Sequence, residues 1–577
     1  MSEATKQLEY WLNDEYFDEE TKKELLAIRN DEAEVEDRFY RELEFGTGGL
    51  RGVIGAGTNR MNKYTVRKAT QGLANYIKKH GGADAGKKGV AISYDCRRFS
   101  PEFADETALC LAANGIKAYV SDILRPTPEL SFALREYGCI AGVMVTASHN
   151  PPEYNGYKVY WEDGAQVTPP HDTGIISEVV AITDYHDVKT MSKEDAIAQG
   201  LYVTFGEELD DKYMVELKKQ IIHKDVIDEM ADKFTIVYTP FHGTGLVPVK
   251  RVLAELGFKN VYIVPEQELP DPDFTTLEYP NPEDPKAFTL ALKLAKEKNA
   301  DVVLATDPDA DRLGIYALDT KSGEYVPFTG NMSGMLIAEY ILRERKATGT
   351  MPADPALVKT IVTTNMADPI TDKYGVRLIE VLTGFKYIGR EIKRFEDTGK
   401  GNYVFGLEES YGCLAGTHAR DKDAVVAVMC LCEVAAWCKA NGLTLWDQMV
   451  KMYEEYGFYK EDMYTITLKG VDGSKQIQEI MDKLRANPPK NFGDLKVLKL
   501  RDYEKDIVTD LATGATSPTG LPKSNVLYFE LDNDSWCCAR PSGTEPKIKF
   551  YMGVKGNSLE DAKERNVKLT EALKSYI

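Results

Sequence analysis

The stretch "MVTASHNPPEYNGYKVY" (144–160) places one serine, Ser148, among small residues just before a His-Asn-Pro-Pro corner. The apolar run before this serine (140–145) predicts a short buried strand. The two prolines after it exclude a helix and stiffen the backbone. We therefore expect Ser148 on a rigid loop at a strand end, where open α/β sheets bind their ligands. A solvated turn serine is the alternative interpretation of this loop taken alone.

A second stretch, "DVVLATDPDADRLG", predicts a metal site. Its apolar strand ends in three carboxylates spaced two residues apart, Asp307, Asp309 and Asp311. On a loop these side chains can converge on one hard cation, and oxygen ligands of this kind suit Mg²⁺. An EF-hand is excluded because Arg312 and Leu318 occupy the positions that require glycine and glutamate. A solvated acidic turn is the alternative, which the repulsion among three close carboxylates disfavours.

A third stretch, "CCARPSGTEPKIKFY", favours phosphate binding. Its hydrogen-bond donors lie close together, at Arg540, Ser542, Gly543 and Thr544. An arginine grips a phosphate with two parallel hydrogen bonds, and a glycine lets backbone N–H groups approach a ligand closely. A plain turn is the alternative, because Pro-Ser-Gly-Thr is also typical of turns.

Two further stretches are less specific. In "FGLEESYG", Glu408 and Ser410 lie two residues apart and face the same side of an extended segment, where they suit sugar hydroxyls. In "EFGTGGLRG", a glycine-rich loop carries Arg51. An ordinary polar loop and a structural glycine loop are the respective alternatives. The stretch "GGADAGKK" (81–88) resembles a P-loop but lacks its hydroxyl residue and follows a helical pattern, so we interpret it as a surface loop.

Strand and helix patterns alternate along most of the 577 residues, which predicts βαβ units and an α/β fold. Near the end of the chain, two strands joined at an Asp-Asn-Asp turn and the alternating segment "KIKFYM" predict a smaller α+β domain. We predict four domains that carry, in order, the serine, aspartate, glutamate-serine and arginine loops. Their predicted ranges are 1–210, 211–325, 326–458 and 459–577.

The net charge of −20, from 71 basic and 91 acidic residues, argues against a nucleic acid or an anionic membrane as a partner. Any phosphorylated substrate therefore needs a local concentration of positive charge. Nine cysteines without a CxxC pair indicate a reducing compartment. For Cys430, Cys432 and Cys438 we predict buried thiols rather than a zinc site. No signal-peptide pattern and no membrane-spanning apolar run are present, so we expect a cytoplasmic protein.

These motifs, in this order, resemble the α-D-phosphohexomutase superfamily from "FGTGGLRG" to "RPSGTEPKIKFY", with further matches at "TPFHGTG" and "TGFKYIG". The charged N-terminal segment and "FGTGGLRG" are most similar to the branch that contains bacterial phosphoglucomutases and phosphopentomutases. The resemblance implies three α/β domains of shared topology with mixed sheets, plus a smaller C-terminal α+β domain, around a central cleft. It does not predict the oligomeric state.

The resemblance also implies roles for individual residues. Ser148 is expected to carry the transferred phosphoryl group, and the expected Mg²⁺ ligands are Ser148, Asp307, Asp309 and Asp311. Lys158 is a candidate general acid or base, and Arg51 and His149 are expected beside the phosphoserine. For His242 in "TPFHGTG", a packed loop histidine is an equally good interpretation. The expected substrate-binding residues are Arg312, Lys386, Glu408, Ser410, Arg540, Ser542, Gly543 and Thr544.

The implied reaction interconverts glucose 1-phosphate and glucose 6-phosphate by phosphoryl transfer through phosphorylated Ser148. Glucose 1,6-bisphosphate is the implied intermediate and activator, and sugar phosphates are the implied partners. A phosphopentomutase, a phosphomannomutase and a non-catalytic sugar-phosphate sensor remain alternatives. A Ser-His hydrolase is disfavoured because His149 directly follows Ser148 and no GxSxG elbow is present.

Overall fold

The computed structural model of the protein describes residues 2–46, 48–468, 470–542 and 547–576. Three mixed α/β sheets follow one another along the chain, and a fourth, antiparallel sheet ends it. This architecture confirms the predicted α/β fold with a smaller C-terminal α+β unit.

Three helices precede the first sheet, and their bounds are Glu3–Asn13 (α1), Glu19–Ile28 (α2) and Glu32–Phe39 (α3). Each begins after a serine or aspartate whose side chain accepts a hydrogen bond from a backbone N–H of the first turn. Their apolar faces surround Trp11, which stacks on Phe17 and meets Tyr64 edge to face. The charged N-terminal segment is therefore a packed part of the fold.

The first sheet has six strands: Gly49–Val53 (β1), Val90–Tyr94 (β2), Ala118–Ser121 (β3), Ala141–Val145 (β4), Tyr154–Trp161 (β5) and Tyr202–Phe205 (β6). Their order is β1-β5-β4-β2-β3-β6, with β5 antiparallel to both β4 and β1. The surrounding helices are Lys63–His80 (α4), Ala85–Lys88 (α5), Ser100–Ala113 (α6), Thr127–Glu136 (α7), His171–Val180 (α8) and Lys193–Ala198 (α9). A 3₁₀ helix lies at Tyr185–Asp187.

The second sheet has five strands: Thr235–Thr239 (β7), Asn260–Ile263 (β8), Val302–Thr306 (β9), Leu313–Asp319 (β10) and Glu324–Phe328 (β11). Their order is β11-β10-β9-β7-β8, and β10 runs antiparallel to β9. The helices of this unit are Glu207–Lys218 (α10), Lys224–Met230 (α11), Leu246–Leu256 (α12), Pro265–Glu268 (α13) and Thr289–Lys298 (α14). A 3₁₀ helix, Pro285–Phe288, precedes α14.

The third sheet has four strands: Pro355–Thr360 (β12), Arg377–Val381 (β13), Asn402–Glu408 (β14) and Gly412–Ala415 (β15). Their order is β13-β12-β14-β15, with β15 antiparallel to β14. The helices are Gly330–Ala347 (α15), Ala367–Tyr374 (α16), Phe385–Thr398 (α17), Ala424–Ala440 (α18) and Leu445–Tyr456 (α19).

The fourth sheet is antiparallel, and its strands are Phe458–Thr467 (β16), Asn491–Phe492 (β17), Leu495–Asp502 (β18), Ile507–Asp510 (β19), Thr516–Ser517 (β20), Leu527–Leu531 (β21), Trp536–Pro541 (β22) and Lys547–Gly556 (β23). The main path is β16-β23-β22-β21-β18-β19-β20, and β17 pairs with β18. The helices Gly470–Ala486 (α20) and Leu559–Lys574 (α21) complete this unit. The predicted hairpin around the Asp-Asn-Asp turn is the β21–β22 pair.

One pairing pattern recurs in the first three sheets. In each, the third parallel strand lies beside the first, and an antiparallel strand follows it through a short loop. These loops join β4 to β5, β9 to β10 and β14 to β15. They are the loops that contain Ser148, the three aspartates and Ser410. The shared topology therefore presents three of the predicted motifs at equivalent positions.

A continuous apolar core joins the first three units. Helix α18 packs against α11 and α12 of the second unit as well as against α15. Its cysteines Cys430, Cys432 and Cys438 are buried free thiols, as predicted. Within the described residues, no single helix has the length and apolarity to cross a membrane, and only the bent pair α18 and α19 passes such a test jointly.

The four domain ranges stay predictions. The predicted division at 325/326 falls inside β11, which pairs with β10 along its whole length. Hydrogen bonding therefore extends the second sheet to Phe328.

Candidate active site

Ser148 meets the aspartate loop directly. Its Oγ donates a hydrogen bond of 2.7 Å to Asp307 Oδ2, and it lies 3.2 Å from His149 Nδ1. The backbone of Ser148 is left-handed, with φ of 52°, which is uncommon for serine. Its N–H donates to Thr146 Oγ1 at 2.7 Å. The serine predicted at a strand end is thus buried and aimed at the predicted metal site.

The three aspartates form a compact carboxylate cluster. Their ligand atoms lie within 4.8 Å of one another, and all three side chains are buried. Among the described residues, Asp309 Oδ1 and Asp311 Oδ1 have no hydrogen-bond partner. Burial, and then the neighbouring carboxylates, raise the pKa of Asp307 well above its ordinary value. Such a set of unsatisfied oxygens fits a hard divalent cation.

Two lysines supply positive charge to this cluster. Lys158 Nζ lies 2.7 Å from Asp309 Oδ2, and Lys422 Nζ lies 3.2 Å from Asp311 Oδ2 and 3.7 Å from Glu408 Oε2. Burial disfavours a charged amine, but the carboxylates outweigh it and raise the pKa of both lysines. Lys422 was not predicted as a site residue. The sequence signal that could have indicated it is its position between two aspartates, directly before an apolar helix.

Arginines line the approach to Ser148. Arg51 is exposed on β1 and donates to Asn150 Oδ1 at 3.1 Å, and Arg312 donates to Glu283 Oε1 at 2.7 Å. Burial, and then the charges of Arg312 and Arg51, lower the pKa of His149 well below its ordinary value. His149 is therefore a neutral neighbour of Ser148 in an electropositive setting.

The third unit contributes polar groups near the same point. Glu408 ends β14 and is buried, which raises its pKa, although Lys422 opposes this. Ser410 follows in the β14–β15 loop and is partly buried. Lys386 lies in the first turn of α17, where burial lowers its pKa and Asp172 opposes the shift. The lysine thus faces the first unit across the cleft.

The fourth unit adds two cations. Arg540 on β22 pairs in register with Lys549 on β23, so both side chains lie on one face of the sheet. Burial lowers the pKa of Lys549, which Glu283 opposes and Arg540 reinforces. The Ser542 N–H donates to the Lys547 carbonyl at 2.7 Å. The predicted residues Gly543 and Thr544 lie outside the described residues. Lys549 was not predicted as a site residue. The sequence signal that could have indicated it is the strand alternation, which places Lys549 on the face of β23 opposite its apolar residues.

His242 is a packed loop histidine. Its Nδ1–H donates to the Leu269 carbonyl at 2.8 Å, and its Nε2 accepts from Thr276 Oγ1 at 2.8 Å. Both ring nitrogens are thus used to fix the segment after α13.

Three family descriptions match the chain. They are the phosphoglucomutase/phosphomannomutase alpha/beta/alpha domains I, II and III, over residues 42–186, 211–320 and 329–456. The phosphoglucomutase of Staphylococcus aureus is 36% identical over 533 residues, which cover 92% of this chain and 93% of that protein.

Solved structures share the fold at low sequence identity. A putative phosphomannomutase from Thermus thermophilus superposes with a TM-score of 0.66 at 22% identity, covering 92% of this chain and 99% of that one. The open form of parafusin, a phosphoglucomutase from Paramecium, gives a TM-score of 0.67 at 18% identity, covering 93% of this chain and 96% of that one.

Proposed function

This chain belongs to the phosphoglucomutase/phosphomannomutase family, and we propose that it is a phosphoglucomutase that interconverts glucose 1-phosphate and glucose 6-phosphate. The observation that carries the proposal is the position of Ser148 Oγ, 2.7 Å from a buried carboxylate of the aspartate cluster. The identity to the Staphylococcus aureus phosphoglucomutase over most of both chains supports glucose phosphates as substrates.

We assign the metal site to Asp307, Asp309 and Asp311, together with the phosphoryl group on Ser148. A bound Mg²⁺ would neutralise charge on the phosphoryl group during transfer. The unsatisfied Asp309 Oδ1 and Asp311 Oδ1 support this assignment, since a buried oxygen without a partner is costly.

In the proposed reaction, phosphorylated Ser148 gives its phosphoryl group to the free hydroxyl of the bound sugar phosphate. Lys158, protonated beside Asp309, gives a proton to the departing Ser148 oxygen and takes up the proton of the sugar hydroxyl in its place, while Arg51, His149 and Arg312 orient the phosphoryl oxygens. The bond to the Ser148 oxygen breaks as the bond to the sugar oxygen forms, which yields glucose 1,6-bisphosphate. Catalysis of this kind consists mainly of positioning and charge stabilisation.

The intermediate then reorients within the cleft and returns its other phosphoryl group to Ser148. Glu408, Ser410 and Lys386 hold the sugar in either orientation. The non-reacting phosphate is held by Arg540, Ser542, Gly543 and Thr544. Added glucose 1,6-bisphosphate would activate the enzyme by phosphorylating Ser148. Sugar phosphates are the only partners that this proposal requires.

The test compares initial rates on glucose 1-phosphate, ribose 1-phosphate and mannose 1-phosphate, with Mg²⁺ and the matching bisphosphate. We expect glucose 1-phosphate to dominate and S148A to be inactive while still folded, with the circular dichroism spectrum of the wild type. Dominant ribose turnover would instead make the protein a phosphopentomutase. Full activity in S148A, or sugar-phosphate binding without any turnover in the wild type, would exclude the proposed mechanism.

Metal binding is tested separately by thermal unfolding with Mg²⁺ and with a chelator. We expect Mg²⁺ to raise the melting temperature of the wild type, because it relieves repulsion within the aspartate cluster. The variant D311N should lose this response.

A further inference from the structure

We propose that Arg97 is a positioning residue that sets the conformation of the Ser148 loop. The inference rests on the proposed role of Ser148 as the phosphoryl carrier. Arg97 lies in the loop between β2 and α6, and its side chain is buried. It does not belong to any motif discussed above.

One guanidinium group donates to four carbonyls, three in the β4–β5 loop and one at Tyr154, the first residue of β5. Arg97 Nη2 donates to the carbonyls of Ser148, at 2.6 Å, and Asn150. Arg97 Nη1 donates to the carbonyls of Pro151, at 2.8 Å, and Tyr154, at 3.0 Å. A single side chain thus connects the start of this loop, at Ser148, to the start of β5, at Tyr154.

The loop needs such a partner for two reasons. The carbonyls of Ser148 and Asn150 lie outside the strand ladder, and a buried carbonyl without a donor costs free energy. In addition, Ser148 has a φ of 52°, a conformation that persists in serine only where surrounding contacts enforce it. Arg97 supplies a contact to the carbonyl of Ser148 itself and three more to carbonyls that follow it in the chain.

Asp95 and Thr146 provide a second set of contacts around Ser148. Arg97 Nε lies 3.3 Å from Asp95 Oδ2, and both side chains are fully buried. The same Asp95 oxygen accepts from Thr146 Oγ1 at 2.6 Å, and Thr146 Oγ1 accepts from the Ser148 N–H at 2.7 Å. The carbonyl and the N–H of Ser148 are therefore both fixed by one connected network. Asp95 also balances the buried charge of Arg97.

Arg97 also contacts the second unit. Its guanidinium carbon lies 5.1 Å from the centre of the buried Phe274 ring, in cation–π geometry. Phe274 belongs to the segment that His242 fixes through Leu269 and Thr276. The second unit also carries the aspartate cluster that Ser148 Oγ faces. Arg97 therefore contacts both the Ser148 loop and the unit that carries this cluster.

Lysine cannot replace this arginine. Four carbonyls are reached by the two terminal nitrogens of a rigid planar fork, whereas a lysine offers three donors from one point. The variant R97K therefore keeps the charge and loses the geometry. Arg98 is the matched control, because it is adjacent and half exposed, and its side chain pairs with Asp273.

The experiment compares wild type, R97K and R98K by amide hydrogen exchange, steady-state kinetics and thermal unfolding. In R97K we expect exchange in residues 147–154 to accelerate about tenfold or more, with other regions unchanged. We expect kcat to fall on the order of 10²-fold, with KM within about threefold of wild type because Arg97 does not touch the substrate. R98K should match the wild type in all three measurements.

Several outcomes would overturn the proposal. One is an R97K protein with wild-type loop exchange and wild-type kcat, and another is an equal loss of protection throughout the first unit. If R97K does not fold, T146V breaks the same network at the Ser148 N–H, and wild-type loop exchange in T146V then overturns the proposal. If wild type and R98K both lack mutase activity, the proposed function fails, and loop exchange alone decides the role of Arg97.

Discussion

At the scale of single residues, the cleft combines buried carboxylates with ammonium groups that belong to other units. Lys158 comes from the first unit and Lys422 from the third, yet both approach carboxylates of the second. In an acidic protein this arrangement concentrates positive charge where a phosphorylated substrate would bind. It also makes each partner costly to remove, since a buried charge without a counter-ion is strongly destabilising.

Replacing Lys422 with methionine should destabilise the metal-free protein by about 3–5 kcal/mol, because Asp311, Glu408 and Asp421 lose a shared cation. Chemical denaturation in the presence of a chelator measures this difference. K422R keeps the charge and should lose less. A K422M protein as stable as the wild type would contradict the ion-pair interpretation.

Glu409 should make the stability of the protein depend on pH. Burial, and then the charge of Glu408, raise the pKa of Glu409 from 4.5 to about 7, although Thr360 and Arg540 oppose this. The folded protein thus holds this proton more tightly than the unfolded chain. The resulting stability is fully present below pH 4.5 and is lost as the pH rises through about 7.

The variant E409Q should not lose stability as the pH rises through about 7, because glutamine stays neutral. Compared with wild type, E409Q should gain on the order of 1 kcal/mol between pH 5 and pH 8. Melting temperatures across this range test the expectation, with E454Q, an exposed glutamate on α19, as the control. Parallel pH profiles of E409Q and wild type would refute it.

At the scale of elements, a repeated hairpin explains where three of the candidate site motifs lie. Each of the first three sheets ends its third parallel strand in a loop that returns along an antiparallel strand. The carboxyl ends of such strands are the usual ligand sites of α/β sheets. The N-terminal helices support the first of these units. The Asn59 N–H donates to the Arg38 carbonyl of α3, and Arg38 Nη1 donates to the Ala56 carbonyl.

The variant W11A should loosen these helices. Trp11 is fully buried and contacts Phe17, Phe39, Tyr64 and Tyr185. Loss of such a side chain leaves a cavity and costs about 3–5 kcal/mol. Urea unfolding followed by circular dichroism measures the cost. The control is Y10A, which removes a partly exposed neighbour and should cost much less. Equal costs would show that the aromatic cluster does not stabilise this unit.

At the scale of the whole molecule, the cleft is assembled from four units. Its residues come from the three equivalent loops, from the strands β1, β5 and β14, from α17, from the segment before α18 and from the fourth sheet. The third and fourth units are joined by a small apolar contact and by the ion pair of Glu380 with Arg501, 3.0 Å apart. A ligand that touches all four units favours the arrangement in which they lie closest together.

Substrate should therefore compact the molecule. We expect the radius of gyration from small-angle scattering to decrease when glucose 1-phosphate binds to the unphosphorylated S148A variant, which cannot turn it over. Inorganic sulfate at the same ionic strength is the control. A radius of gyration that stays constant at saturating ligand would contradict closure of the units.

The sequence by itself determined the motifs and the ends of the elements that carry them. Predicted strands lie directly before Ser148 and the three aspartates, and Arg540 lies within a predicted strand. The alternation that predicts such strands depends only on neighbouring residues. The alternation of strands and helices likewise determined the α/β class. The end of β11 at Phe328 lies three residues beyond the division predicted at 325/326, because strand pairing rather than composition sets the end of a strand.

Only the tertiary structure decided which side chains meet. The contacts of Lys422 with Asp311 and of Arg97 with the Ser148 carbonyl join residues far apart in the chain. Coulombic and hydrogen-bond energies depend on distance in space, which no local periodicity encodes. The same reason applies to His242. Its hydrogen bonds to Leu269 and Thr276, which only the tertiary structure shows, identify it as a packed loop histidine.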